Sequence, residues 1–397
     1  MSLFSTTPVS YLGVDIGSSS IKVVELKKHQ DKVVLVNYGY SEQLTNAYPN
    51  GAKLDIKRVA EAIEKITKKT GMSARDVVSS LPTFTVFSSI IHLSGRLTAK
   101  DLDSAIAWEA KKIIPLPLKD IVLDWQRIDE GGPGLLKNRL TDKDEIKQAE
   151  IKLAQTSEIA NTVPVAEKTE VKAETKAEKK ETKLAGSLHH KVLLIGAPKS
   201  LIKSYAYSFK SIKFNLVNLE TEVFGLIRSL LGNDRSTVMI VQLGANSTNV
   251  FIVNKGVPML SRSIDVGGLA ITKAISKNLN ISLEKAEQFK YDLTNQEGPL
   301  PKMITEVIAP VFNEVKYILE GFSNKEQLEV SKVILTGGGS MLGGLAEYFS
   351  DSLNKNVLIG DPWFRVAYPL ELKPVLEQIG PRLAVAIGLA MREFDKS

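Results

Sequence analysis

The chain contains no cysteine among its 397 residues. That excludes a disulfide framework and thiolate chemistry, and it fits a reducing compartment. No run approaches the ~20 uninterrupted apolar residues of a membrane-spanning helix, so no span is expected. The opening residues, MSLFSTTPVS, lack a basic start followed by an apolar run and do not read as a secretory signal. Histidine is scarce: His29, His92, His189 and His190 show no ligand spacing with carboxylates, and no metal centre is read from them. Aromatics make up only 7% of the chain, and the net charge of +6 is spread out rather than gathered on a basic, aromatic face. Nucleic-acid binding is therefore not expected.

What is present is a 43% hydrophobic chain, long enough for two or more domains with sizeable cores. Its most informative stretch is residues 11–26, YLGVDIGSSSIKVVEL. Apolar Leu12, Val14 and Ile16 lead into a turn of Gly17, Ser18, Ser19 and Ser20, and Ile21, Val23 and Val24 lead out, which predicts a β-hairpin. Glycine lets the backbone approach a ligand closely, while hydroxyls and successive N–H groups can donate to phosphate oxygens. Asp15, an anion, does not suit a phosphate directly but suits a hydrated Mg²⁺, which binds few carboxylates and keeps its waters. Residues 237–253, TVMIVQLGANSTNVFIV, repeat the plan with Gly244, Ala245, Asn246, Ser247 and Thr248 at the turn. Two such hairpins suggest duplicated halves that clamp a nucleotide. A third element, VILTGGGSMLGGL at 333–345, reads as a strand, a turn of Gly337, Gly338, Gly339 and Ser340, and a helix that includes Leu342. Bare backbone there would accept a flat base or ribose. In this order the three elements resemble the superfamily of actin, sugar kinases and heat-shock ATPases.

Along the chain, residues 33–40 read as a third strand, 54–70 as an amphipathic helix closed by Gly71, and 76–80 as another strand. Residues 84–93 form a strand, and 98–114 a helix capped by Thr98 with Asp101. Pro115 and Pro117 stop it, 121–128 returns as a strand, and Trp108, Ile114 and Pro115 would pack a small core with these elements. Between 131 and 187 the sequence alternates lysine and glutamate without aromatics, which cannot offset ordering entropy and reads as a charged linker, with a short helix within 135–154. A strand at 191–197 and a helix at 199–211 follow, then a strand at 214–219 and a linking helix at 221–231. Near 265 a turn carries Asp265, Gly267 and Gly268, and an A-E-x-x-K pattern places Glu287 and Lys290 one helical turn apart, able to pair with each other or to reach ribose and base edges. Residues 303–322 read as a core helix, and 383–394 as a closing helix whose Ala386 and Gly388 permit close approach.

The run WEAKKIIPLPLKDIVLDWQ, followed later by KVLLIGAPKSLI, is similar to the PilM family of actin-like type IV pilus assembly proteins, in the branch shared with the division protein FtsA. The resemblance implies an α/β, two-lobed actin-like (ribonuclease H-like) ATPase fold with an inserted 1C (SHS2-type) subdomain. It implies a first-lobe part at 1–80, the insert at 81–216, a second lobe at 217–380 and a C-terminal helix at 381–397 that returns to the first lobe. It further implies ATP and Mg²⁺ as cofactors, held by Asp15, Gly17, Ser18, Ser19, Ser20, Lys22, Gly244, Ala245, Asn246, Ser247, Thr248, Gly268, Glu287, Lys290, Gly337, Gly338, Gly339, Ser340 and Leu342, with Asp15 serving the metal. Glu222 and Gln242 stand at the catalytic positions. Glu222 would orient the attacking water, while Gln242 replaces the acid usual in the second hairpin, which points to slow or no hydrolysis. The implied location is cytoplasmic, peripheral at the inner membrane through partners. Those partners are a PilN-type membrane protein, captured by its cytoplasmic N-terminal peptide beside 1C, and other pilus machinery including cytoplasmic assembly ATPases. An FtsA-like polymerising membrane tether and a sugar-kinase-like phosphotransferase are the alternatives.

Overall fold

A computed structural model describes residues 9–41, 47–48, 53–94, 99–128, 189–295 and 298–395. The charged segment 131–187, the short helix within 135–154 and the Thr98 cap lie outside the described residues. Strands β1 (Ser10–Ile16), β2 (Ile21–His29) and β3 (Lys32–Tyr40) form an antiparallel meander. Their alternation sends Leu12, Val14, Ile16, Ile21 and Val23 to one face, where α1 (Ile56–Thr70) buries Val59, Ile63 and Ile66 against them. Asp55 caps α1 by accepting from the Arg58 N–H, and Gly71 ends it at φ 67°, a conformation glycine adopts without a Cβ penalty. Strand β4 (Asp76–Leu81) then runs parallel to β1.

A second, three-stranded sheet follows from β5 (Phe87–Ser94), β6 (Ile121–Arg127) and β7 (His189–Pro198), with β7 central. Helix α2 (Ala99–Ile113) covers it through Leu102, Ile106 and Ala110. Ile114 joins that core, but Trp108 does not: it is 60% exposed, and the Lys112 ammonium sits 3.1 Å from its ring centroid. Helix α3 (Lys199–Ser211), expected as the insert's second helix, packs elsewhere. Its Leu201, Ile202, Tyr205 and Phe209 enter the core between α1 and the first sheet. The apolar stripe shows that the helix buries one face; which sheet receives it is a tertiary matter.

Strand β8 (Asn215–Thr221) returns beside β4, and α4 (Glu222–Leu226) leads through a π turn at Ile227–Leu231 into the other half. There β9 (Val238–Leu243), β10 (Thr248–Asn254) and β11 (Val257–Ile264) repeat the antiparallel meander. Helices α5 (Gly268–Leu279), α6 (Leu283–Asp292) and α7 (Lys302–Glu326) pack on it before β12 (Lys332–Thr336) runs parallel to β9. Helix α8 (Leu345–Leu353) and β13 (Val357–Ile359) complete this sheet in the order β11-β10-β9-β12-β13. The short β14 (Val366–Ala367) then pairs with β3, giving the first sheet the order β14-β3-β2-β1-β4-β8. Each half is thus a meander followed by a parallel strand beside its first member, the duplicated plan of the actin-like fold.

Helix α9 (Lys373–Met391) starts earlier than its sequence suggests, because Pro381 lies inside it instead of opening it. It is buried along most of its length between the halves, touching the first sheet through Leu383, Ala386, Ile387 and Ala390 and the second through Ala384, Val385 and Leu389. Among the described residues no helix is long and apolar enough to cross a membrane.

Candidate nucleotide cleft

The first hairpin closes through a bond from the Gly17 N–H to Ser20 O at 3.1 Å, with Ser18 and Ser19 at its tip. Asp15 and Lys22 face each other across β1 and β2, and the Lys22 Nζ donates to Asp15 Oδ2 at 3.0 Å. Lys22 in turn lies opposite Tyr40 on β3, so Asp15, Lys22 and Tyr40 form a row on one face of the sheet. Tyr48, behind the hairpin, shares a 2.5 Å hydroxyl contact with Tyr205 of α3 and lies 3.5 Å from Ile16 O. Burial pushes both phenols well above their ordinary range, so each stays protonated.

The second hairpin closes in the same way, Gly244 N–H to Ser247 O at 3.0 Å, around Ala245 and Asn246. The start of α5 is stitched onto it: the Gly268 N–H donates to Gly244 O at 2.9 Å and the Leu269 N–H to Ala245 O at 2.8 Å. A Cβ on Gly267 would lie 2.6 Å from Ala245 O, so this seam requires glycine. Helix α6 folds back on the seam. Lys290 Nζ donates to Glu287 Oε2 at 2.7 Å, to Thr272 Oγ1 at 2.8 Å and to Gly268 O at 3.3 Å. Burial opposes ionisation of Glu287, but the hydrogen bonds from Lys290 and Thr272 outweigh it and hold the carboxyl below its ordinary value. Of the two readings of this pair, mutual pairing is what the structure contains.

The glycine turn after β12 has a different reason for each of its members. Gly337 sits at φ 84° with the Leu243 carbonyl where a Cβ would go, and a Cβ on Gly339 would lie 2.9 Å from Leu243 Cβ. Those two pack the turn on the end of β9. Gly338 alone opens toward the cleft, where a Cβ would meet only Arg382, at 3.5 Å. Three expected ligands have local duties. Thr248 is buried and donates to Val266 O at 2.7 Å, Ser340 is buried and donates to Gly337 O at 2.7 Å, and Leu342 belongs to the apolar core.

Between the halves stands Glu222, 6% exposed at the start of α4. Its Oε2 accepts from Thr83 Oγ1 at 2.9 Å and from Asn249 Nδ2 at 3.1 Å. The Asn249 amide also donates to Gln242 Oε1 at 3.2 Å, so one asparagine ties the acid of the first half to the glutamine of the second. Burial, reinforced by repulsion from Asp15, raises the Glu222 carboxyl from 4.5 to about 7. Thr83 and Asn249 escaped the sequence reading. Asn249 follows the turn of the second hairpin directly and stands at the head of the apolar run VFIV at 250–253, which is the available signal.

The raised Glu222 value has a consequence for stability. Between its ordinary value and about 7 the folded protein holds a proton that the unfolded chain has released. The stabilisation is full below the ordinary value and is lost as pH rises through about 7. The thermal midpoint of the unliganded protein is therefore expected to fall between about pH 5 and pH 8, and Glu222→Gln should remove that slope. Equal slopes in the two proteins would assign the effect to another group.

Among the described residues no cluster of three or more histidines, aspartates or glutamates is placed to hold a metal ion. The fold has several known counterparts. A PilM–PilN type IV pilus biogenesis complex superposes with a TM-score of 0.71 at 23% identity, covering 97% of this chain and 99% of that one. The ethanolamine utilization protein EutJ from Carboxydothermus hydrogenoformans gives 0.51 at 15% identity, over 97% and 90%. Cell division protein FtsA of Staphylococcus epidermidis is 20% identical over 384 residues, 89% of this chain and 74% of the relative. A family profile described as type IV pilus assembly protein PilM matches residues 13–175 and 137–394. The chain thus belongs to the PilM family of type IV pilus assembly proteins.

Proposed function

We propose that this protein is an ATP-binding scaffold of the type IV pilus inner-membrane assembly complex, located at the cytoplasmic face through its partners. The observation that carries the nucleotide part is the pair of phosphate-type hairpins, one from each half, joined across the cleft by Glu222, Asn249 and Gln242. Asp15 suits a magnesium-bound water, and Asn249 Oδ1, buried and without a donor among the described residues, is a further acceptor for one. Bound magnesium would neutralise phosphate charge. Glu222, with a carboxyl near neutrality, is the residue suited to orienting a water, while Gln242 has no proton-accepting carboxylate and is held by Asn249. Turnover is accordingly slow, and ATP acts by holding the halves in one arrangement.

The partner in this reading is the cytoplasmic N-terminal peptide of a PilN-type membrane protein, bound between the first lobe and the insert. Exposed Trp108, Ile113 and Leu116 give the insert apolar anchors of the kind such peptides use. The 131–187 segment, polar and without aromatics, contributes nothing to it.

A single calorimetric series tests both parts. The wild-type chain should bind ATP in magnesium and a synthetic PilN-type leader peptide. Asp15→Ala should weaken magnesium-dependent ATP binding by about tenfold or more. Replacing 131–187 with a short flexible linker should leave the peptide affinity unchanged. Ordinary ATP affinity in Asp15→Ala removes the nucleotide assignment; loss of peptide binding with the linker makes the charged segment the docking element.

A further inference from the structure

The cationic side chains of the cleft differ in how they are occupied. Lys22 is paired with Asp15, and Lys290 is held by Glu287, Thr272 and Gly268 O. Arg382 forms no ion pair with a carboxylate among the described residues. Its surroundings are specific nonetheless. The guanidinium carbon lies 5.2 Å from the centroid of the Tyr40 ring, at the end of the Asp15–Lys22–Tyr40 row of the first half. Beside it is Gly338, the one member of the glycine turn that opens toward the cleft. Glu287 of α6 is the carboxylate that feels its charge.

The backbone on which Arg382 rides is fixed from the second half. Pro381 O accepts from the Gly337 N–H at 2.9 Å and from Thr336 Oγ1 at 3.0 Å. The next two turns of α9 pack on the first sheet. The arginine is therefore positioned by both halves, on the sheet face that carries Asp15 and Lys22, beside bare glycine backbone. A planar guanidinium with several N–H donors recognises phosphate oxygens, and stacking on a tyrosine ring orients it before the ligand arrives. In sequence Arg382 is the single charged residue of the run PRLAVAIGLAM, the part of the helix that is mostly buried.

We propose that Arg382 binds the phosphates of the nucleotide held between the halves, an inference that rests on the ATP-binding reading above. Because α9 spans both halves, the same contact reports phosphate occupancy to the first sheet and to the glycine turn together.

The test compares ATP, ADP and adenosine by calorimetry. Arg382→Gln should weaken ATP and ADP about 10- to 100-fold, the effect of losing a charge-assisted hydrogen bond, and leave adenosine within about twofold. Arg382→Lys should restore part of the loss as a point charge. Should the glutamine variant fold poorly, a change at Tyr40 gives the answer without touching the arginine. Tyr40→Leu removes the ring that orients the guanidinium and should weaken ATP and ADP severalfold while leaving adenosine within about twofold. Wild-type ATP affinity in Arg382→Gln overturns the proposal, as does a loss shared equally by adenosine or, where the glutamine variant folds poorly, an unchanged ATP affinity in Tyr40→Leu. Failure of the wild-type chain to bind any of the three overturns the nucleotide reading itself.

Discussion

Gly388→Ala is expected to destabilise the protein by about 3 kcal/mol, the upper end of what overpacking costs, although it adds one methyl to a helix. The methyl would collide with the Gly225 carbonyl oxygen of α4 and lie 2.5 Å from its carbon. Backbone cannot move aside as a side-chain tip can. On the opposite side of α9, a Cβ on Gly13 of β1 would collide with Ala386 O and lie 2.6 Å from the Ala390 N–H nitrogen. The helix is thus seated between two pieces of backbone, each accepting it only where glycine stands. Gly321→Ala is the matched control. It lies in α7, a Cβ there meets nothing within 4 Å, and it should stabilise by about 0.5–1 kcal/mol through reduced unfolded-state entropy. Chemical denaturation of the two variants would decide the matter; similar midpoints would mean that α9 has room to shift.

The same seat explains why so much of this fold could be read from sequence. Both hairpins announce themselves through apolar alternation around small polar turns, a strictly local signal, and both close as expected. Ala386 and Gly388 stood out as small residues in an apolar helix, and they are the points of close approach. Where the reading differed, the deciding contact lay far away in sequence. The stripe of α3 could have served the insert or the first lobe, and only the assembled sheet puts Tyr205 beside Tyr48. Trp108 reads as core by residue type, yet α2 turns Leu102, Ile106 and Ala110 inward and leaves the indole outside beneath Lys112. The site divides in the same way. Glycines and serines in turns were legible, whereas Thr83, Asn249 and Arg382 acquire meaning only when the halves face each other. Thr248, Ser340 and Leu342 belong to the right turns but hold those turns together.

Glu220→Ala should cost about 3–5 kcal/mol, because it removes the carboxylate shared by two buried arginines. Glu220 is 5% exposed and accepts from Arg228 and, at 2.9 Å, from Arg392 Nε. Arg228 also donates to Gly388 O at 2.7 Å, so the cluster clamps the end of α9 to the helix that joins the halves. The two cations already strain this arrangement. Burial, followed by repulsion from Arg392, disfavours the Arg228 cation relative to a free guanidinium. Arginine keeps its proton all the same, so the balance is supplied by the Glu220 carboxylate. Without Glu220 the repulsion has no compensation. The double variant Glu220→Ala/Arg392→Met, which also removes the second cation, is therefore expected to recover part of the deficit, while Glu220→Gln, which keeps the shape and one acceptor, should fall between the wild type and Glu220→Ala. Denaturation midpoints of the three variants provide the check. A double variant no more stable than Glu220→Ala would mean that the lost contacts are steric and that the charges on Arg228 and Arg392 are relieved by water once Glu220 is gone.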